Sequence, residues 1–400
     1  MSLKRIPRNV WVLALCQSLS MSCAPFLILA GGLIGAQLAP TAELATLPIA
    51  MMIVGSALAT IPTVMVLKRF GRKRGSYVGY AIQLLGIGAV FYATLNASWA
   101  ALLVGTALMG VSFAFAQQYR FAALESLKNK DDFGTALAVM MSGGLVAAYV
   151  GPELAASGRD LIESATGYAG SCLLLAGVCC VGALIFGLFK DPVIEEETVE
   201  GHGRSLLEIA RGRFFLISIV VTAVAFGVMS LVMTATPVNM NELCGYSLMD
   251  SKWVIQSHLA AMFLPSFLTP LLMRKLGQST LMMIGAAIYV GMIVVALMGQ
   301  EFMHFWWALI LLGVGWNFLF VTGTALLPRS YRASERFKTQ ALNDFIVFGI
   351  QATASLSAGW LLFSFSWEVL VWVCLPAALL ALAGGAVLYF EDKRRLVTAV

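Results

Sequence analysis

Lys68-Arg69-Phe70-Gly71-Arg72-Lys73-Arg74-Gly75 is the stretch that decides how this chain folds. It places five cations in eight residues between two runs, 47–67 and 76–95, that carry no charge. Each run is long enough to cross a bilayer core of about 30 Å as a helix. A segment this basic does not cross a membrane cheaply, so it marks the cytoplasmic side. The stretch therefore predicts a hairpin of two membrane-spanning helices whose connection lies inside the cell.

The same stretch resembles the loop signature of the major facilitator superfamily, which reads Gly-x-x-x-Asp-Arg-x-Gly-Arg-Lys. The residues that match this signature are Arg69, Gly71, Arg72 and Lys73. Lys68 stands where the family has its aspartate, and Val64 stands where the family has its first glycine. The resemblance implies an all-α membrane protein with twelve transmembrane helices in two pseudo-symmetric six-helix bundles. It also implies secondary transport of a small organic solute by alternating access.

The composition agrees with a membrane protein. Of the 400 residues, 60% are hydrophobic and 12% are charged, and the mean hydropathy is +0.86. A soluble chain could not bury so much apolar surface, whereas a lipid-facing chain does not need to. Hydropathy predicts twelve spans, which are 10–36, 47–67, 76–95, 99–119, 133–154, 165–189, 214–238, 251–273, 280–299, 302–328, 339–362 and 367–390.

The distribution of cations predicts the orientation of these spans. With the N-terminus inside, 24 of the 26 Lys and Arg residues fall in cytoplasmic segments, and only Arg159 and Lys252 fall outside. Because cytoplasmic loops carry an excess of Lys and Arg, this asymmetry predicts cytoplasmic N- and C-termini. We expect a multi-pass protein of the bacterial cytoplasmic (inner) membrane.

A polar segment divides the chain into similar halves. Residues 1–190 are predicted to form the first six-helix bundle, 191–213 a cytoplasmic linker and 214–400 the second bundle. A weak repeat relates the halves, since Gly71 and Gly277 align at an offset of 206 residues. Ser205 followed by Glu208 matches a capping box, which predicts a short helix at the end of the linker.

Polar residues inside apolar runs are candidates for substrate contact, because hydrocarbon is a costly environment for them. The predicted substrate-contacting residues are Gln17, Gln117, Tyr119, Trp316, Asn317 and Gln351. Gly313-Val314-Gly315-Trp316-Asn317 is the most informative group, since an aromatic ring and an amide follow two glycines near mid-membrane. The group is interpreted either as a site that stacks on and hydrogen-bonds a ligand or as a helix-packing site.

Two titratable residues, Asp344 and His258, are candidates for proton coupling, although a lone histidine is also typical of packing. Charged residues at the inner face are candidates for a cytoplasmic gate. These are Lys68, Arg69, Gly71, Arg72, Arg120, Asp131, Asp132, Arg274 and Lys275. One hypothesis pairs Lys68 or Arg69 with Asp344, and Arg274 or Lys275 with Asp131 or Asp132. The alternative is that the basic stretch serves only as a topology signal.

The sequence does not resemble an enzyme, and it contains neither a phosphate-binding loop nor a cluster of metal ligands. We therefore expect no cofactor, no metal and no nucleic acid. The expected partners are a small-molecule substrate, the lipid bilayer and protons as coupling ion, with the chain acting as a monomer. Few acidic residues lie at mid-depth, which favours a neutral, anionic or amphipathic substrate. The alternative function is that of a non-transporting membrane sensor or assembly partner on the same fold.

Overall fold

A computed structural model describes residues 6–127, 133–191 and 204–398 of the chain. Regular structure in these ranges is helical, and they contain no β-strand. The helices are α1 (Arg8–Met21), α2 (Cys23–Leu38), α3 (Leu47–Asn96), α4 (Trp99–Gln117), α5 (Tyr119–Glu125), α6 (Phe133–Ser157), α7 (Ala169–Phe186), α8 (Leu206–Ala210), α9 (Arg213–Val238), α10 (Leu248–Phe263), α11 (Thr269–Leu276), α12 (Gln278–Leu297), α13 (Phe302–Leu326), α14 (Arg336–Ser364), α15 (Trp367–Trp372) and α16 (Cys374–Thr398).

Ten helical stretches in the described ranges are long and apolar enough to cross a membrane. The number differs from the predicted twelve for two reasons. One stretch, Ala42–Asn96, has 55 residues and contains two predicted spans, which are separated by a non-helical backbone at Gly71. The span predicted at 251–273 is divided into α10 and α11 by a 3₁₀ turn at Leu264–Phe267. The predicted all-α membrane fold is confirmed.

The chain divides into two compact units. Unit one contains residues 1–195 and 234–256, and unit two contains residues 196–233 and 257–400. The end of α9 and the beginning of α10 thus belong to the same unit as α1 to α7, although they follow the predicted linker in the sequence. The bundle limits at residues 190 and 214 rest on the sequence and remain predictions.

Close approach of α3 and α4 organises unit one. A Cβ atom on Gly110 would lie 2.0 Å from the carbonyl oxygen of Met52, and one on Gly55 would lie 2.2 Å from that of Ala107. Small residues at such crossings allow backbones to pack without intervening side chains, which is how helices associate where lipid removes the hydrophobic driving force.

In unit two, α12 packs against α13 and α16. The hydroxyl of the fully buried Tyr289 donates to the carbonyl of Ala225 at 2.8 Å, which joins α12 to α9. Its ring lies against Gly315 of α13, where a Cβ would come within 2.6 Å. The glycine at position 315 therefore admits a large aromatic side chain from the neighbouring helix.

A charge network at the start of α8 holds the end of the linker within unit two. The buried carboxylate of Glu335 accepts from the backbone amide of Arg204 at 2.7 Å and from its Nη2 at 2.6 Å. These hydrogen bonds from Arg204 lower the pKa of Glu335 well below its ordinary value. The Oγ of Ser205 accepts from the amide of Glu208 at 3.2 Å, so the predicted short capped helix is confirmed as α8.

Candidate functional site

Trp316 and Asn317 are adjacent on α13 and have different environments. The Nδ2 of Asn317 donates to the carbonyl of Met262 at 2.8 Å and to the Oγ of Ser266 at 2.6 Å. Its Oδ1 accepts from the hydroxyl of Thr269 at 2.7 Å. The buried amide is thus occupied in joining α13 to α10, α11 and the turn between them. For Asn317, these contacts favour the packing interpretation.

The side chain of Trp316 belongs to a cluster of aromatic rings, which we call the aromatic cluster. Its members are Phe226 of α9, Trp316 and Phe320 of α13, and Phe348 of α14. Trp316 stacks on Phe320 with centroids 4.8 Å apart and planes inclined by 15°. Phe226 contacts the other three rings edge-on, at centroid distances of 5.3, 5.5 and 6.1 Å.

The indole of Trp316 is 7% exposed, and its Nε1 has no hydrogen-bond partner. In two other tryptophans of unit two, the Nε1 atom has a hydrogen-bond partner. Trp306 donates to the Oγ of Ser257 at 2.9 Å, and Trp367 donates to the carbonyl of Ala296 at 3.2 Å. Buried tryptophan N–H groups usually find a partner. Trp316 therefore retains an unused donor beside stacked aromatic rings.

The polar candidates of α14 share a face with the aromatic cluster. Asp344, Phe348 and Gln351 are spaced at i, i+4 and i+7, which places them on one side of the helix. Asp344 is half-buried, and its Oδ1 accepts from the Nδ2 of Asn343 at 3.1 Å. Gln351 is also half-buried. Polar groups thus flank the aromatic cluster along α14.

His258 is fully buried on α10. Its Nδ1 lies 2.8 Å from the carbonyl oxygen of Leu309. Because a carbonyl only accepts, the proton of the neutral ring is on Nδ1. This bond joins α10 to α13, next to Gly313, where a Cβ would lie 2.6 Å from the carbonyl oxygen of His258. The contacts are typical of a packing histidine.

Unit one holds the other predicted substrate-contacting residues. Gln17 is buried on α1, and its Oε1 has no hydrogen-bond partner. Gln117 is half-buried at the end of α4. Tyr119 is buried, and its ring stacks on Phe186 with centroids 5.3 Å apart. Gln17 thus retains an unused acceptor, whereas the ring of Tyr119 packs against α7.

The basic stretch forms a bend in α3 with acidic partners. Gly71 adopts φ 80° and ψ 162°, and the helix resumes after it. The backbone amide of Lys73 donates to the Oδ1 of Asp191 at 2.9 Å. Arg72 forms a bidentate ion pair with Glu125 of α5. Sequence analysis did not identify Asp191 or Glu125 as partners of this stretch, because each is more than fifty residues away.

The remaining gate candidates are exposed, half-buried or outside the described residues. Lys68, Arg69, Arg274 and Lys275 are exposed, the last two in the final turn of α11. The guanidinium of Arg120 lies 4.8 Å from the ring of Phe121. Asp131 and Asp132 fall outside the described residues. The predicted latch contacts of these cations therefore stay predictions.

Another ion pair lies at the other end of unit one. Lys252 of α10, whose side chain is 6% exposed, donates to Glu153 of α6 at 2.9 Å. One turn later in α10 and one turn earlier in α6, the Nε2 of Gln256 donates to the carbonyl of Tyr149 at 3.1 Å. Sequence analysis placed Lys252 among the outer cations but gave no partner for it. Glu153 is 38% exposed, so only the ammonium of Lys252 would be left buried and without compensation if its partner were removed.

Comparison with known proteins gives a consistent result. A sequence profile described as the Major Facilitator Superfamily matches residues 10–348. The riboflavin transporter RfnT of Brucella anthropi is 36% identical over 381 residues, which cover 94% of each chain. An uncharacterised MFS-type transporter of Bacillus subtilis, YddS, is 30% identical over 336 residues, or 80% of this chain and 77% of that one.

A solved structure shares the same architecture. The crystal structure of a bacterial homologue of the human lysosomal transporter Spinster matches with a TM-score of 0.72 over 98% of both chains. The sequences are 14% identical, so this likeness shows the fold alone.

Proposed function

The chain belongs to the Major Facilitator Superfamily, and from this membership we propose that it carries riboflavin across the bacterial cytoplasmic membrane. Its family and relatives are membrane transporters rather than enzymes or sensors. The observation that supports riboflavin is the 36% identity to a riboflavin transporter over 94% of both chains.

The chemistry of the described side chains agrees with this substrate. Riboflavin joins a flat ring system, apolar at its dimethylbenzene end and polar at the end with two carbonyls, to a polyhydroxylated chain, and it has no net charge at neutral pH. The aromatic cluster offers ring surfaces, and Asp344 and Gln351 offer hydrogen-bonding groups on the same face of α14. The scarcity of acidic residues at mid-depth also suits a neutral substrate better than a cation.

We assign the driving force to the proton gradient, with Asp344 as the proton carrier. Asp344 is half-buried, so it exchanges protons with water more easily than a fully enclosed group. His258 is enclosed and already bonded through Nδ1 to Leu309, so charging it would place a cation in an apolar environment. Among the two candidates, Asp344 is therefore the better proton carrier.

Transport of riboflavin is tested with purified protein in proteoliposomes. Uptake of radiolabelled riboflavin should exceed that of empty liposomes, should be competed by unlabelled riboflavin and should not be competed by ribitol. An inward proton gradient should accelerate uptake. Absence of both uptake and riboflavin binding by the folded protein would overturn the proposed substrate.

The coupling assignment has its own test. Asp344→Asn should lose the response to the proton gradient and retain exchange of riboflavin between the two sides of the membrane, because exchange needs no net proton movement. Glu208→Gln, at an exposed carboxylate of α8, is the matched control and should behave as the unmodified protein. Gradient-driven uptake that persists in Asp344→Asn, or that depends on sodium instead, would contradict the assignment.

A further inference from the structure

We propose that the aromatic cluster is the subsite for the flat ring system of the substrate, and that the indole N–H of Trp316 donates to a carbonyl of that ring. The inference rests on the proposed riboflavin substrate and adds the residues that recognise the flavin ring. It follows from the geometry of four rings, from an unused donor and from the polar atoms around them.

The first observation is the arrangement of the rings. Trp316 and Phe320 are spaced at i and i+4 on α13 and are nearly parallel, with a centroid separation of 4.8 Å. A third flat ring placed on this pair would continue the stack in the offset geometry that aromatic groups prefer. Phe226, Phe320 and Phe348 are only half-buried, so part of each ring remains accessible.

The second observation is the unused donor of Trp316. A buried N–H without a partner costs free energy, because the group has lost its hydrogen bond to water. The neighbouring Asn317 satisfies all its groups through α10, α11 and the turn between them, so the fold does supply partners at this depth. A ligand carbonyl that reached Nε1 would remove the cost at Trp316. The isoalloxazine ring of a flavin has two carbonyl groups on one edge.

The third observation is a further unsatisfied polar atom next to the rings. Ser230 follows Phe226 by one turn on α9, is fully buried, and its Oγ has no hydrogen-bond partner. Other buried hydroxyls of α9 do have partners: Ser218 donates to the carbonyl of Gly323 at 2.8 Å, and Thr222 donates to that of Ser218 at 2.8 Å. Phe226 thus contacts the ring of Trp316, whose Nε1 is unused, and precedes by one turn on α9 a serine whose Oγ is also unused.

These observations fit one class of ligand. An apolar ligand would leave both polar atoms unsatisfied, and a sugar would not use the stacked rings. A flat heteroaromatic ring with carbonyl groups on its edge uses both features. The ribityl chain would then extend toward the polar face of α14 that carries Asp344 and Gln351.

The test compares two flavins on matched variants of the full-length protein in lipid nanodiscs. Riboflavin and lumichrome, an alloxazine that keeps the two ring carbonyls and lacks the ribityl chain, are titrated while the fluorescence of the ligand is recorded. Trp316→Phe keeps an aromatic ring and removes the N–H. Trp307→Phe makes the same change at an exposed residue of the same helix and is the control.

Trp316→Phe should weaken binding of both ligands by the same factor, roughly three- to tenfold, the usual effect of losing one hydrogen bond. Indole in contact with a flavin quenches its fluorescence, so flavin bound at saturation should be brighter in Trp316→Phe than in Trp307→Phe. Phe320→Leu should also weaken lumichrome binding, because it removes the second ring of the stack. If Trp316 had only a structural role, Trp316→Phe would not change the fluorescence of fully bound flavin.

The outcomes separate this inference from the proposed function. If the unmodified protein binds neither flavin, the proposed substrate fails and the subsite fails with it. If it binds both, but Trp316→Phe and Phe320→Leu match the control in affinity and brightness, the subsite is wrong and riboflavin transport stands. If Trp316→Phe does not insert into the membrane, the affinity of Phe320→Leu for lumichrome decides.

Discussion

Two glycines, Gly71 in unit one and Gly277 in unit two, have nearly the same backbone conformation in different surroundings. Their φ and ψ angles are 80° and 162° at Gly71, and 86° and 154° at Gly277. Each glycine stands between two helical segments, the two halves of α3 or α11 and α12. Side chains other than that of glycine are strained in this region of conformational space. The two glycines that the predicted repeat aligns thus share one backbone conformation, and the repeat of the two halves stays a prediction.

The side chains around the two bends differ. After Gly71, the amide of Lys73 donates to Asp191, its Nζ donates to the carbonyl of Gly187 at 2.7 Å, and Arg72 pairs with Glu125. After Gly277, Gln278 donates to the carbonyl of Thr322 at 2.8 Å, which is a neutral hydrogen bond. The same bend is therefore supported by charges in unit one and by a neutral contact in unit two. Both units thus keep the bend, whereas charged partners around it are an additional feature of unit one.

The largest expected effect on stability comes from the glycine bend that both units share. Gly71→Ala and Gly277→Ala should each destabilise the protein by about 1–3 kcal/mol, the cost of placing a Cβ in this backbone region. The two losses should be similar, because an added Cβ would meet only ordinary contacts: 3.6 Å from Asp191 at position 71 and open space at position 277. The midpoint of thermal unfolding in detergent measures the effect.

Gly88→Ala is the control for these variants. Gly88 lies within α3, and a Cβ there would meet open space, so alanine should leave the midpoint unchanged or raise it slightly. A Gly277→Ala variant as stable as Gly88→Ala would show that the second bend tolerates a side chain. The backbone equivalence of the two units would then have no energetic meaning.

The spans and the aligned pair of glycines were visible in the sequence because both depend on local features, whereas the bend at each glycine was not predicted. Hydrophobic runs give the helices, and glycines at equal positions in the two halves give the repeat. The partners of the basic stretch could not be found in this way. Asp191 lies 118 residues from Lys73, and Glu125 lies 53 residues from Arg72, and only the folded chain brings them together.

The contacts of the candidate site likewise could not be found from the sequence. Trp316 and Asn317 stood out as polar groups in an apolar run, but the sequence could not show that Asn317 is satisfied and Trp316 is not. Phe226 and Phe348 were not selected, because a phenylalanine that packs beside a tryptophan looks the same in sequence as one that faces lipid. Their place in the aromatic cluster depends on the packing of α9 and α14 against α13.

The next effect concerns an ion pair of unit two that lies away from its bend, between Arg204 and Glu335. Glu335→Gln should lower the unfolding midpoint, because the buried carboxylate accepts hydrogen bonds from Arg204 and from the amide of Arg332. The pKa of Glu335 is lowered in the folded protein, so its stabilisation is fully present above the ordinary glutamate pKa. It declines as the pH falls from the ordinary pKa toward the lowered one, and it is gone below the lowered value.

The difference in midpoint between the unmodified protein and Glu335→Gln should thus be constant from neutral pH down to weakly acidic pH, and it should shrink only below about 4.5. Glu208→Gln, which changes an exposed carboxylate near Arg204, should have little effect at any pH. A difference that shrank between neutral and weakly acidic pH would contradict a lowered pKa of Glu335.

A smaller effect on stability is expected at Asp191, which caps the helical segment that follows the bend at Gly71. Asp191→Asn should destabilise the protein by up to about 1 kcal/mol. The carboxylate of Asp191 accepts from an amide at a helix N-terminus and so acts as a cap, and the positive end of the helix dipole stabilises its negative charge. Asparagine keeps an acceptor, so Asp191→Ala should cost more than Asp191→Asn. Equal effects of the two variants on the unfolding midpoint would mean that the hydrogen bond to Lys73 contributes nothing.

The smallest effect is the coupling between Arg72 and Glu125. Their side chains are 20% and 29% exposed, so water and salt weaken the attraction between them. A double-mutant cycle with Arg72→Gln and Glu125→Gln should give a coupling of about 0.2–1 kcal/mol at low ionic strength. Raising the salt concentration should reduce this coupling.

Removing the neutral contact of the second bend with Gln278→Ala should instead have an effect that does not depend on salt, because no charge is involved. A salt-independent coupling at Arg72 and Glu125 would remove the difference between the two bends, since both would then be held by contacts that behave as neutral.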